Sequence, residues 1–111
     1  GLLARRSVRP PTLRVKPLPR PPTAAVLMLE GVASHPRHLR DVVVMLRPPG
    51  PGQLDKKVEY VAAAAGGKSL EFEAEIPLEP GGNRIFVLAR ADGDVQNSTE
   101  LWVYRADADE G

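Results

Sequence analysis

Three glutamates spaced two residues apart are the first residues of this chain to consider for chemistry. Glu71, Glu73 and Glu75 alternate with apolar residues along one segment. Paired carboxylates catalyse acid–base reactions only when a pocket raises the pKa of one of them. Carboxylates spaced by two along a strand instead share one solvated face and repel each other. We therefore interpret the row as an exposed strand face that discourages edge pairing, and not as a catalytic pair.

The chain has two histidines, His35 and His38, which lie three residues apart. A metal site needs three or four ligands with suitable spacing. The nearest acid, Asp41, adds one carboxylate, while Arg37 and Arg40 would repel a cation. The sequence therefore predicts a surface loop at the histidines and no metal site.

A small acidic turn, Asp92-Gly93-Asp94 with Glu100 nearby, offers the oxygen ligands that calcium prefers. The longer pattern of a calcium-binding loop is missing, so the turn of a hairpin is the favoured interpretation. The chain contains no cysteine, which excludes a disulfide scaffold, a thiolate nucleophile and a cysteine-based zinc site.

The serines also lack a recognisable catalytic setting. None of Ser34, Ser69 and Ser98 is part of a local His–Asp arrangement, although catalytic triads assemble from distant positions. The segment Gly66-Gly67-Lys68-Ser69 has Ala62 where a phosphate-binding loop requires its first glycine. We therefore predict no catalytic residue and no cofactor in this chain.

Two aromatic residues near the end of the chain, Trp102 and Tyr104, are the candidate partner-binding residues. If Leu101 and Val103 point into the core, alternation places both aromatic rings on the outer face, where they would anchor a partner. In the opposite register both rings are buried and the aliphatic side chains lie outside. The sequence leaves these two registers open.

The elements that position these residues are predicted to be strands. The chain of 111 residues is one domain's worth, and its twelve prolines and ten glycines suit short strands joined by turns. Leu70 to Leu78 alternates apolar and charged residues, as a half-buried strand does. Five further strands are predicted at Ala25 to Val32, Asp41 to Leu46, Lys57 to Val61, Ile85 to Ala89 and Leu101 to Tyr104.

The first 22 residues form a basic, proline-rich arm. It carries six basic residues and no acid, whereas the chain from Thr23 onward has nine basic and fourteen acidic residues. We predict that residues 1–22 are a connector with a short edge strand at Thr12 to Lys16, that residues 23–106 form the sandwich and that residues 107–111 are an acidic flexible tail.

The distribution of charge also bears on partners. No aromatic residue precedes Tyr60, so the basic arm lacks rings for base stacking and we expect no specific nucleic-acid binding. The chain has no run of 18 apolar residues, so no membrane insertion is expected. The isolated domain is predicted to be monomeric.

Four residues are predicted to shape the backbone. Pro80, Gly81 and Asn83 form a corner between two strands, in which the Asn83 amide bonds backbone groups left open by the turn. We expect Asn83→Ala to cost on the order of 1–3 kcal/mol. Gly31, inside a predicted strand, indicates a bulge or a close approach of the facing sheet.

These segments resemble a bacterial immunoglobulin-like sandwich module. The resemblance covers Thr23 to Arg105 and is carried by Leu29 to Ala33, Arg40 to Val44 and above all Phe72 to Asp92. The nearest resemblance is to the module that follows the PDZ and catalytic regions in some bacterial carboxyl-terminal processing (tail-specific) proteases. The cysteine pair and third-strand tryptophan of antibody domains are absent, so the resemblance is to the wider sandwich group.

The resemblance implies an all-β, immunoglobulin-like or fibronectin III-like sandwich of about seven strands. It also implies a non-catalytic accessory module of a periplasmic or envelope protease, which positions or stabilises the enzyme or binds a protein. Its partners would be the preceding domains of the parent chain or another protein. Those proteases use a Ser–Lys pair that no segment of this chain matches, so the activity is not assigned to it. The alternative is an independent module that binds cell-wall glycan or peptide.

Overall fold

The computed structural model describes residues 9–18, 25–92 and 95–106, and seven strands account for most of them. Alternating apolar residues form the strands, and proline- or glycine-rich segments separate several of them. The strands are β1 (Thr12–Val15), β2 (Val26–Ser34), β3 (Leu39–Arg47), β4 (Lys56–Ala62), β5 (Ser69–Pro77), β6 (Gly81–Ala91) and β7 (Val95–Arg105).

The strands form two antiparallel sheets. One sheet has three strands in the order β1-β2-β5, and the other has four in the order β4-β3-β6-β7. The chain passes between the sheets after β2, β4 and β5, and it makes hairpins between β3 and β4 and between β6 and β7. The structure thus confirms the predicted all-β sandwich of seven strands.

The core lies between the two sheets and is built from alternate residues of each strand. Leu29 and Ile76 from the three-stranded sheet and Val42, Ile85 and Val87 from the four-stranded sheet are completely buried. The residues between them point outward, as the period of two along a strand requires. Each sheet therefore has one face in the core and one outer face.

The described part of the basic arm belongs to the sandwich. β1 pairs with β2 over four residues, from Thr12 opposite Ser34 to Val15 opposite Gly31. The described residues do not include 1–8 and 19–22 of the predicted connector or residues 23 and 24 at the start of the predicted sandwich. The predicted tail at 107–111 also lies outside them. In the ranges that the structure describes, no helix is long and apolar enough to cross a bilayer.

Candidate functional site

The outer face of the four-stranded sheet carries the exposed aromatic residues of β7. Val103 is 3% exposed and points into the core, whereas Trp102 and Tyr104 are 66% and 57% exposed. Both rings therefore lie on the outer face, and the structure decides between the two registers that the sequence left open. Exposed aromatic residues on a rigid sheet are suited to docking because they offer large apolar area with few rotatable bonds.

Arg84 on β6 lies between two of the aromatic rings on this face. It is directly opposite Trp102 in the β6–β7 pairing, and its guanidinium carbon is 4.9 Å from the Trp102 ring centre and 5.0 Å from that of Phe86. Glu100 binds the same guanidinium with contacts of 2.8 Å. The Arg84 guanidinium stacks on the Trp102 ring and holds it in place. Glu100 neutralises the charge of Arg84. We call Arg84, Phe86, Glu100, Trp102 and Tyr104 the aromatic face.

A shallow groove of about 310 Å³ lies beside Trp102. One side is the loop after β3, with Pro48, Pro49 and Gly50, and the other side is Gly82 and Arg84 on β6. A side-chain carbon at Gly82 would lie 3.8 Å from the Trp102 ring, so the ring extends over this glycine. The aromatic face is therefore continuous with a groove whose walls are mostly uncharged.

The predicted corner leads into β6, the strand that carries Arg84, and Gly81 and Asn83 are among the first residues of that strand. Gly81 has φ +107°, which favours glycine because other residues are strained there. Asn83 is completely buried, and its Oδ1 accepts the Glu79 N–H at 3.1 Å. Its Nδ2 donates to the carbonyl oxygens of Glu79 at 2.9 Å and Gly81 at 3.1 Å, and it reaches that of Val103 at 3.2 Å. One side chain thus ties the corner to β7. Pro80 lies at the exposed bend of this corner.

Gly31 lies in β2 between β1 and β5 and is buried. A side-chain carbon built on it would be 2.4 Å from the Phe72 ring and 2.6 Å from the Arg14 carbonyl oxygen. The close approach therefore comes from neighbouring strands of the same sheet, and not from the facing sheet. The Phe72 ring fills the space that any other residue at position 31 would need.

The expectation that both histidines lie in a surface loop is wrong for His35. Its side chain is buried, and its Nδ1 accepts the backbone N–H groups of Arg37 and His38 at 3.1 Å each. Nε2 therefore carries the ring proton and donates to the Arg9 carbonyl at 2.9 Å. His35 shapes its loop and fastens the arm to the sandwich. His38 is partly exposed, with Nδ1 2.6 Å from an Asp92 carboxylate oxygen.

An ion pair between a buried carboxylate and a partly exposed arginine on the four-stranded sheet was missed by the sequence interpretation. Asp41 is 2% exposed and receives two bonds from Arg90, at 2.7 and 2.8 Å, and one from the Tyr60 hydroxyl at 2.9 Å. Burial raises the pKa of Asp41, but these bonds and the charges of Arg90 and Arg40 outweigh burial and leave the pKa below its ordinary value.

The same cluster is not poised for acid–base chemistry at neutral pH. The bond to Asp41 raises the pKa of Tyr60 above its ordinary value, so the phenol stays protonated while the carboxylate stays charged. A general acid or base needs a pKa near the working pH. Asp41, Tyr60 and Arg90 instead join β3, β4 and β6, which is a structural role.

Asp41→Asn should destabilise the sandwich by about 2 kcal/mol at pH 7, because bonds to a buried charged group are lost. The pKa of Asp41 is lowered in the folded state, so the stability it contributes is complete above the unfolded pKa of about 4 and is lost as pH falls through the folded value. Urea denaturation of both proteins from pH 7 to pH 2 measures this difference.

Asp55→Asn is the matched control, since Asp55 forms a more exposed pair with Arg47 at 2.8 Å. This variant should lose less than about 1 kcal/mol. A gap between wild type and Asp41→Asn that stays constant down to pH 2 would contradict the assigned role of the Asp41 carboxylate.

The other candidates from the sequence are not brought together. Glu71, Glu73 and Glu75 lie exposed along β5, with Glu73 directly opposite Glu30 of β2. Among the described residues, no group of three or more His, Asp or Glu side chains is placed to hold a metal ion. Gly93 and Asp94 lie outside the described residues. Ser34 and Ser69 are opposite each other in the pairing of β2 with β5, and Ser98 lies on β7 in the other sheet.

The structure is thus a seven-stranded sandwich whose four-stranded sheet carries exposed aromatic rings beside the paired Arg84 and Glu100. No protein-family model and no curated protein matches the chain. A crystal structure of OgpA from Akkermansia muciniphila is similar, with a TM-score of 0.59 and 13% sequence identity. The match covers 86% of this chain and 29% of the OgpA chain, so this chain corresponds to less than a third of that protein's length. This similarity supports the sandwich fold.

Proposed function

We propose that this chain is a non-catalytic accessory module of a larger bacterial carboxyl-terminal processing protease and that it binds protein through the aromatic face. The observation that carries the docking role is the exposure of Trp102, the chain's single tryptophan, which lies 66% exposed on a rigid sheet. The protease setting, with its periplasmic or envelope location, rests on the sequence resemblance centred on Phe72 to Asp92.

The aromatic face has the physical properties of a preformed binding surface. Arg84 stacks on both Trp102 and Phe86, so the rings lose little conformational entropy when a partner covers them. Glu100 already neutralises Arg84, so a neutral partner can cover the pair without leaving one charge uncompensated. Tyr104 extends the apolar area along the same strand.

Binding to the protein region encoded upstream of Gly1 in the same gene tests this proposal. We expect that region, expressed separately, to contain a protease and to bind this chain in a calorimetric titration. Trp102→Ala should weaken the affinity about 30-fold, as loss of about 2 kcal/mol at an interface hot spot does. Met28→Ala is the control, because Met28 is 47% exposed on the outer face of the other sheet.

Two outcomes would contradict the proposal: an upstream region without a protease domain, or equal binding of wild type and Trp102→Ala. Weakened binding counts in favour of the proposal only if the melting temperature of the variant is unchanged, so that a folding defect is not mistaken for a lost contact.

A glycan-binding role is the second candidate, and one observation favours it. The groove beside Trp102 is bordered by Arg47 and Arg84, each of which is paired with a carboxylate at 2.8 Å. A flat ring flanked by hydrogen-bonding groups suits a polyhydroxylated ligand. Sedimentation of the chain with peptidoglycan sacculi, lost in Trp102→Ala, would favour this role over protein docking.

A further inference from the structure

The edges of the two sheets differ in how they are protected against pairing with another chain. β1 has only four residues and lies between prolines, β4 begins with Lys56 and Lys57, and β5 carries its row of glutamates and ends at Pro77. Short strands, charges and proline all discourage the addition of a further strand. Of the four edge strands in the described residues, three are therefore protected against pairing with a further strand.

β7 is the exception. It has eleven residues and no proline, and its charged side chains are already engaged, Glu100 by Arg84 and Arg105 by the Leu78 carbonyl. The arm contacts its first half, where the Asn97 amide donates to the Pro11 carbonyl at 3.1 Å. Within the residues that the structure describes, no strand pairs with the outer side of Leu101–Arg105.

We propose that the outer edge of Leu101–Arg105 binds an extended peptide segment of another protein as an added strand. This inference rests on the proposed docking function and names the chemistry of its partner. Backbone hydrogen bonds would supply affinity, as in other cases of strand addition to an exposed edge. Side chains directly opposite each other on neighbouring strands lie roughly 5 Å apart, so alternate residues of the peptide would contact Trp102 and Tyr104.

The length of the open edge favours a short peptide over a second copy of this chain. Five residues extend roughly 17 Å, which matches one short segment. A stable dimer interface usually buries at least about 1,200 Å², and pairing of two five-residue edges provides only part of that area. The peptide should be uncharged at its centre, because Glu100 and Arg84 neutralise each other. It should carry apolar or aromatic residues at every second position.

A displayed library of random twelve-residue peptides is the probe for this edge. We expect selection on the wild-type chain, and not on Trp102→Ala, to enrich peptides with alternating apolar residues. The best peptide is then synthesised with backbone N-methyl groups on one or the other set of alternate residues. Methylation of the set facing β7 should weaken binding at least tenfold, and methylation of the other set should not, since only one set donates to the edge.

The outcomes separate this inference from the proposed function. Equal affinity of both methylated peptides, with binding still dependent on Trp102, would overturn strand addition and leave docking through the aromatic face intact. Failure to enrich any peptide over Trp102→Ala would also overturn strand addition. Sedimentation that shows a dimer protected from amide exchange at Leu101–Arg105 would identify a second copy as the occupant and overturn the peptide.

Discussion

Replacing Gly31 by alanine should destabilise the sandwich by about 3 kcal/mol, the largest effect we expect from a single methyl group in this chain. The added carbon would lie 2.4 Å from the Phe72 ring and 2.6 Å from the Arg14 carbonyl oxygen. Phe72 is 3% exposed in the core, and Arg14 O is backbone of β1. Neither can move without disturbing a sheet, because the core is close-packed and β1 is held by its pairing with β2.

The effect is measured by urea denaturation of the wild type and Gly31→Ala. Gly82→Ala is the matched control, because Gly82 also lies in a strand but an added carbon would meet the Trp102 ring at an ordinary 3.8 Å. The control should change the free energy of unfolding by less than about 1 kcal/mol.

A double variant identifies which neighbour causes the loss. Phe72→Leu in the Gly31→Ala background should recover part of the stability by relieving the ring contact, while the contact with Arg14 O remains. Amide exchange of β1 should then stay faster than in the wild type. Equal denaturation midpoints for the wild type and Gly31→Ala would contradict the close approach at position 31.

The alternation of side chains predicted the strands well because each sheet has one buried and one solvated face. Along β5, Phe72, Ala74 and Ile76 are buried and the glutamates between them are exposed, so the sequence shows a period of two. The last strand was predicted from Leu101, but β7 begins at Val95. Its first half contains mostly polar residues on both faces, so it has no apolar period from which to predict a strand.

The contacts that join distant segments could not be predicted from the same pattern. Asp41 and Arg90 are 49 residues apart, and their meeting depends on the register between β3 and β6. His35 and Arg9 are likewise joined only when the arm lies against the loop between β2 and β3. The available signal for the ion pair was Asp41 itself, which directly precedes the apolar run Val42 to Val44. A carboxylate buried at that point needs a charged or hydrogen-bonding partner.

From the sequence, Trp102 could be placed only on one of two faces, because alternation does not show which face is buried. Period two places Trp102 and Tyr104 on one face and Leu101 and Val103 on the other, whichever face is buried. The choice is made by packing: the core takes the smaller Val103, and Arg84 and Phe86 on β6 provide an outer surface for the indole. The aromatic face thus depends on the pairing between β6 and β7, which begins at the corner that contains Asn83.

Asn83→Ala should lower the free energy of unfolding by about 3 kcal/mol, the upper end of the range for stranding buried backbone groups. The side chain is completely buried, and it satisfies the Glu79 N–H together with the Glu79 and Gly81 carbonyl oxygens. Alanine provides neither donor nor acceptor, and water has little access to the buried side of the corner. Urea denaturation measures the loss.

Asn83→Asp separates the role of the donor from that of the acceptor. Aspartate keeps an oxygen for the Glu79 N–H but replaces the Nδ2 donor by a carboxylate oxygen that faces the Gly81 and Val103 carbonyl groups. We expect it to be at least as destabilising as alanine at pH 7 and to recover part of the loss in acid, where the protonated carboxyl group can donate. Because Asn83 Nδ2 bonds the Val103 carbonyl and Asn83 is opposite Val103, loss of this bond should loosen β7 and quicken amide exchange at Val103 in both variants. Full stability of Asn83→Asp at pH 7 would show that the donor bonds do not hold β7 to the corner.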